Sequence, residues 1–110
     1  MESVNNKYRH NFYIGQSRIH GKGVMANKNF RRGEVIAVVV YYSFFSFFYP
    51  TITKDFGGLI NHSYRPNSQL YYMNNMYYLI ANKDISKGEE IVADYNNTPW
   101  FIQKPMPWYK

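Results

Sequence analysis

Three short segments hold most of the residue types from which chemistry is built. Ser17-Arg18-Ile19-His20-Gly21-Lys22-Gly23-Val24 places a histidine and a lysine in a turn bracketed by glycines. Glycine there lets backbone amides approach a ligand closely. Gly58-Leu59-Ile60-Asn61-His62-Ser63-Tyr64-Arg65-Pro66-Asn67 is a polar knot between two apolar strands. An Asn amide beside an imidazole can hold neighbouring backbone or a ligand through paired hydrogen bonds. Gly88-Glu89-Glu90-Ile91-Val92-Ala93-Asp94-Tyr95 reads as a strand ending in Asp-Tyr. Each segment alone has a plain reading: an ordinary turn, a structural histidine, a packed tyrosine. Around His62 the density of Asn, His and Ser sets a functional reading level with a structural one.

The elements that must position these segments are strands. Runs of β-branched and aromatic residues predict them over Tyr13–Ser17, Gly23–Asn27, Val35–Tyr42, Ser68–Met73, Tyr77–Asn82 and Glu90–Ala93. Asn74-Asn75 suits a tight hairpin turn, and Phe56–Ile60 a single helical turn before Asn61. No stretch keeps a 3.6-residue period, so the fold is predicted to be mostly β with little helix. One internal echo stands out: residues 26–36, ANKNFRRGEVI, against residues 81–91, ANKDISKGEEI. Each copy reads as strand, turn, strand, with Gly33 and Gly88 taking the positive φ of the turn. The pair predicts two similar β-hairpin corners. Residues 98–110 contain Pro99, Pro105 and Pro107, which exclude a regular helix or central strand. Trp100, Phe101 and Trp108 in that tail are expected to dock on the body.

Composition bounds the rest. The 110 residues suit one small domain. With no cysteine, disulfides, thiolate zinc sites and cysteine nucleophiles are excluded. Aromatic residues make up 20% of the chain, led by 12 tyrosines, which suits both a core and pockets lined by oriented hydroxyls. The net charge of +6 gathers before Gly33, where Lys7, Arg9, Arg18, Lys22, Lys28, Arg31 and Arg32 face only Glu2. A basic face fits a polyanion, a negatively charged cofactor or a solvated surface equally. No nucleic-acid-binding motif accompanies it, so direct nucleic-acid binding is not expected. The apolar run at residues 35–49 is shorter than a membrane span needs and two serines interrupt it; no membrane association is expected. The first residues carry no apolar signal-peptide region.

In order and spacing, the three segments resemble the SET domain family. The first resembles its HGxG-type signature, followed by Ala26, Phe30 and Gly33-Glu34 in the next strand pattern. Asn61-His62-Ser63 with Pro66-Asn67 is similar to the family's Asn-His-Ser-x-x-Pro-Asn motif almost letter for letter. Gly88-Glu89-Glu90-Ile91 leading to Tyr95 is similar to its Gly-Glu-Glu-(Ile/Leu) motif with a following tyrosine. The match runs from about Ser17 to Tyr95. It is nearest to minimal stand-alone SET proteins such as those of large viruses.

The resemblance implies a β-clip fold of several small curved sheets with a C-terminal pseudoknot, in which the segment carrying Tyr95 threads past the Asn61-His62 loop. It implies a single minimal SET domain over residues 1–110, with its core at 14–101 and a tail at 102–110. The activity implied is transfer of a methyl group from S-adenosylmethionine (AdoMet) to a lysine side-chain amine of a protein, a histone being one candidate. By the same resemblance His20, Gly21, Lys22, Gly23, Asn61 and His62 bind the cofactor. Trp100 or Phe101 covers its adenine, and no metal takes part. Tyr95 is the catalytic residue, and Tyr41, Tyr42, Ala93 and Tyr95 line the substrate channel. Ala93 stands where many members carry a Phe or Tyr that limits the number of methyls added. The insert before Asn61 is short, so residues 41–57 replace it, and the aromatics around Phe44–Tyr49 predict a homodimer interface. An intracellular setting, cytoplasmic or nuclear and virus-encoded, goes with the resemblance. The alternative reading is a non-catalytic SET-like module that binds AdoMet or a peptide.

Overall fold

The computed structural model describes residues 4–41, 51–54 and 56–94. Eight strands lie in two four-stranded sheets. β1 (Phe12–Gln16), β2 (Lys22–Ala26), β8 (Glu90–Ala93) and β5 (Asn61–His62) form one sheet in the order β1-β2-β8-β5. β4 (Thr51–Ile52), β3 (Val35–Tyr41), β7 (Met76–Ala81) and β6 (Ser68–Met73) form the other in the order β4-β3-β7-β6. The pairings are antiparallel except β5 with β8, which is parallel. The helical content of these residues is two short 3-10 segments, Asn6–Asn11 and Gly57–Leu59. No helix among the described residues is long and apolar enough to cross a membrane.

The apolar runs decide which faces meet. Val24, Ala26, Ile91 and Ala93 from the first sheet share one buried cluster with Ile36, Val39, Val40, Leu79 and Ala81 from the second. Phe30, Phe56 and Ile85 belong to it as well. Burial of each Val, Ile, Leu or Phe side chain among them contributes roughly 1.5–3 kcal/mol. β3 is nearly continuous in apolar residues because it is buried along its length. Its register against β7 shifts twice, between Val35 and Ala37 and between Val38 and Val40. Asn5, fully buried, serves Val38 there: Asn5 Nδ2 donates to the Val38 carbonyl at 3.0 Å, and the Val38 amide donates to Asn5 Oδ1 at 2.7 Å. An amide side chain has one donor group and one acceptor, so it can act as a length of strand.

The sequence echo is a pseudo-twofold pair in space. Phe30 and Ile85 exchange backbone hydrogen bonds, amide to carbonyl, at 2.8 and 2.9 Å. About that bridge these bonds fall in matched pairs. The Gly33 amide donates to Ala81 and the Gly88 amide to Ala26. The Ala81 amide donates to Glu34 and the Ala26 amide to Glu89. The carboxylates of Glu34 and Glu89 accept from the amides of Arg31 and Ser86. Asp84 and Asn29 accept from the opposite turn, at Arg32 and Lys87. Gly33 and Gly88 both sit at φ +93°, the left-handed region expected of them.

The expected hairpins need correction. β2 and β3, which flank the first corner, lie in different sheets, and so do β7 and β8, which flank the second. Each corner carries the chain from one sheet to the other. The Asn74-Asn75 hairpin is as expected, with φ of 52° and 60° at the two asparagines joining β6 to β7. Strand limits elsewhere move by one residue, and β4 and β5 were not foreseen. Two residues are too few to show a pattern in sequence; β5 exists because β8 lies beside it.

Candidate cofactor and methyl-transfer site

The Ser17–Lys22 turn is organised around one hydroxyl. Ser17 Oγ accepts from the amides of Ile19 and His20, at 2.8 and 3.2 Å. It donates to the Glu90 carboxylate, with oxygens at 2.8 and 2.9 Å. The Ser17 amide donates to the Gly21 carbonyl at 2.8 Å and closes the turn. Asn61, buried at the start of β5, reaches it from the other side. Its Nδ2 lies 3.1 Å from the His20 carbonyl, 3.1 Å from the Lys22 carbonyl and 2.9 Å from Glu90 Oε2. Gly23 makes room for this. A Cβ at that position would stand 2.5 Å from Glu90 Oε2 and 3.0 Å from Asn61 Nδ2.

His62 follows in β5, opposite Ala93 of β8. Its side chain is wholly buried, with Nδ1 3.7 Å from Asp94 Oδ1. Burial holds its pKa below the ordinary histidine value, against the opposing pull of the Asp94 carboxylate. The ring is therefore neutral near pH 7. Tyr64 packs edge-on against it, with ring centroids 4.3 Å apart. The rest of the motif wraps β8. Asn67 Nδ2 donates to the Glu90 carbonyl at 2.8 Å, and Asn67 Oδ1 accepts from the Val92 amide at 3.0 Å. The Ser68 hydroxyl donates to the Val92 carbonyl at 2.7 Å.

Two hollows flank this arrangement. One, about 590 Å³, is lined by Ile14, Gly15, Gln16, Gly21 and Lys22. The other, about 310 Å³, has Ser68, Asn82, Ala93 and Asp94 among its walls. Both fall in the size range of small-molecule sites. Among the described residues, no group of three or more His, Asp or Glu could hold a metal ion.

The structure thus brings together His20, Gly21, Lys22, Gly23, Asn61, His62 and Ala93, which lie far apart in sequence. Tyr41, expected in the substrate channel, is half-buried at the end of β3, paired with Thr51 and Met76 in the other sheet. Tyr42, Tyr95, Trp100, Phe101 and the Phe44–Tyr49 segment lie outside the described residues. So does the threading of Tyr95, although β8 does enter between β2 and the Asn61–Ser68 segment. Sequence reasoning missed Ser17, Asn67 and Glu90 as site residues. For Glu90 a signal existed: in the echo it replaces Val35, an acid where the twin has an apolar residue.

A glycine turn, an Asn-His strand and a parallel strand laid between them define a SET-type β fold. The SET domain family model matches residues 44–96. Two solved structures agree with the fold. A candidate histone methyltransferase of Plasmodium falciparum is 23% identical, with a TM-score of 0.61, over 82% of this chain and 96% of that one. Apo ctPRC2 with mutations in Ezh2 is 19% identical, with a TM-score of 0.57, over 81% of this chain and 15% of that one. No curated protein sequence matches the chain. The chain is thus similar to the SET domain family over residues 44–96 and shares the fold of these structures.

Proposed function

We propose that this protein is an AdoMet-dependent protein-lysine methyltransferase. One observation carries the reading: Asn61 bonds the backbone of the Ser17–Lys22 turn while its neighbour His62 lies against the end of β8. The three motifs therefore meet at one place, and the residue after Asp94 is the tyrosine of the third motif. The residues fit the cofactor. The glycine turn borders a hollow of about 590 Å³, and the exposed Lys22 stands in its wall. The backbone of His20–Gly23 and of Asn61-His62 would hold the cofactor, with Trp100 or Phe101 over the adenine. When bound, AdoMet supplies an electrophilic sulfonium methyl for a lysine amine to attack.

The chain's own residues then have three tasks. The first is orientation, since alignment of the reacting groups is the largest part of such a reaction. The Tyr95 hydroxyl serves it without changing protonation state, and its ring can face a cationic centre. The second is removal of the acceptor's proton. A free lysine has a pKa of about 10.4, and a narrow apolar channel at Ala93 and Tyr95 would lower it by desolvation. No strong general base is then required; the neutral, buried His62 serves as a packing and hydrogen-bonding group. The third is support: Asn61 ties the turn to Glu90 of β8, and Asn67 holds its own segment against the same strand.

The acceptor is a lysine-containing protein, and histones are the first to try. Incubation with labelled AdoMet and candidate proteins, followed by mass spectrometry, should find label on a lysine Nζ. AdoMet binding with no transfer to any protein would favour a binding module instead. Absence of AdoMet binding would overturn the reading altogether.

A further inference from the structure

We propose that Glu90 is the positioning residue of the cofactor turn, and that it must be a carboxylate to act. The proposal rests on the AdoMet reading above. Ser17 Oγ has one proton and two lone pairs. Both lone pairs are engaged by the amides of Ile19 and His20, so the hydroxyl can meet Glu90 only as a donor. Asn61 Nδ2 also meets Glu90 as a donor. Glu90 Oε2 meets both donors, and Glu90 Oε1 also lies 2.8 Å from Ser17 Oγ, so an NH₂ in the place of Oε1 would face an oxygen whose lone pairs are already engaged. A glutamine of the same shape would turn its NH₂ toward a donor. The turn would then lose the link that orients Ser17, and with it the shelter of the Ile19 and His20 amides.

The pseudo-twofold pair separates this role from a merely structural one. Glu90 occupies the place that Val35 holds in the first corner. Both are half-buried, and both open the strand that leaves a corner. Since Val35 serves the first corner, the corner itself does not require an acid. What differs is the neighbour: only the second corner has Ser17 and Asn61 in front of it. Gly23 adds an independent sign, because the approach of Glu90 to Asn61 depends on the missing Cβ.

The test compares the full-length wild type with Glu90→Gln and Glu90→Val, the latter carrying the twin's residue. S-adenosylhomocysteine binding is measured by calorimetry, and hydrogen exchange at the Ile19 and His20 amides by NMR. Both variants should stay folded, bind the probe roughly 10- to 100-fold more weakly and exchange those two amides faster. With an active substrate, the KM for AdoMet should rise while the KM for the acceptor protein holds. Should either variant fail to fold, Ser17→Ala cuts the same link from its other end and should show the same losses. Wild-type affinity in folded Glu90→Gln, in folded Glu90→Val or in Ser17→Ala overturns the proposal and leaves the functional reading standing. A wild-type chain that does not bind the probe overturns the functional reading and this proposal with it.

Discussion

The two corners at 26–36 and 81–91 make the same hydrogen bonds about one axis, yet they lead to different places. The first delivers β3, whose buried residues are apolar from Ile36 to Val40. The second delivers β8, which carries Glu90 to the Ser17–Lys22 turn and sets Ala93 opposite His62. One backbone device thus leads to an apolar strand in one copy and, in the other, to an acid that bonds the Ser17–Lys22 turn. The change is concentrated in a side chain at the strand entrance and in what the second strand passes between.

The strongest way to break the comparison is to remove what the corners share. Phe30 lies on the axis and is 2% exposed. Phe30→Ala should cost about 3–5 kcal/mol, measured by denaturant unfolding, and should loosen both corners together in hydrogen exchange. Faster exchange at one corner only would mean that they are not coupled. The next effect belongs to the second corner alone. Tyr95→Phe should lower turnover by roughly 10²–10³ with cofactor affinity and stability little changed. Tyr41→Phe, at the end of the strand from the first corner, should lower it far less. Equal losses in kinetic assays would dissolve the contrast.

A smaller change sharpens it from the neighbour's side. Gly23→Ala puts a methyl against the Glu90 carboxylate. It should weaken S-adenosylhomocysteine binding by roughly 10-fold, the loss of one charge-assisted bond, with stability little affected. Smaller still are the matched turn substitutions. Gly33→Ala and Gly88→Ala meet no atoms within 4 Å, so only the positive φ opposes them. Each should cost about 1 kcal/mol, and the two costs should agree; unequal melting shifts would show that the corners are not twins.

The smallest effect is in pH. His62 has its folded pKa depressed by burial, so the unfolded chain takes up the proton first on acidification. Its contribution is complete above the ordinary value of about 6.5 and declines as pH falls from there to the folded pKa. Glu34, whose pKa is lowered by the Arg31 amide and by Lys28, acts in a separate window. Its contribution is present above the ordinary carboxylate range and is lost at lower pH. Unfolding curves near neutral pH and at mildly acid pH should show the first decline in the wild type. A His62→Gln chain should lack it.

Much of this was legible in the sequence. β-branched runs and turn asparagines located β6, β7, β8 and the hairpin between β6 and β7, because those signals are local. The three motifs marked the turn, the Asn-His strand and β8. The echo was visible, but its meaning as a symmetric pair was not. Nothing in residues 26–36 states that the two corners bond to each other, or that each crosses between sheets. Strand β5 was illegible because two residues carry no alternation; it is made by β8. Ser17 and Glu90 were quoted as motif letters without roles, since their contact spans the chain and depends on the gap left by Gly23.

The central claim is that the second corner, and not its twin, belongs to a cofactor site. It is tested most directly by titrating S-adenosylhomocysteine into isotope-labelled protein and following backbone amides by NMR. The account predicts saturable shifts concentrated at Ile19–Gly23, Asn61, His62 and Glu90, with Phe30–Val35 nearly still. Shifts centred on the first corner, or no shifts at all, would contradict it.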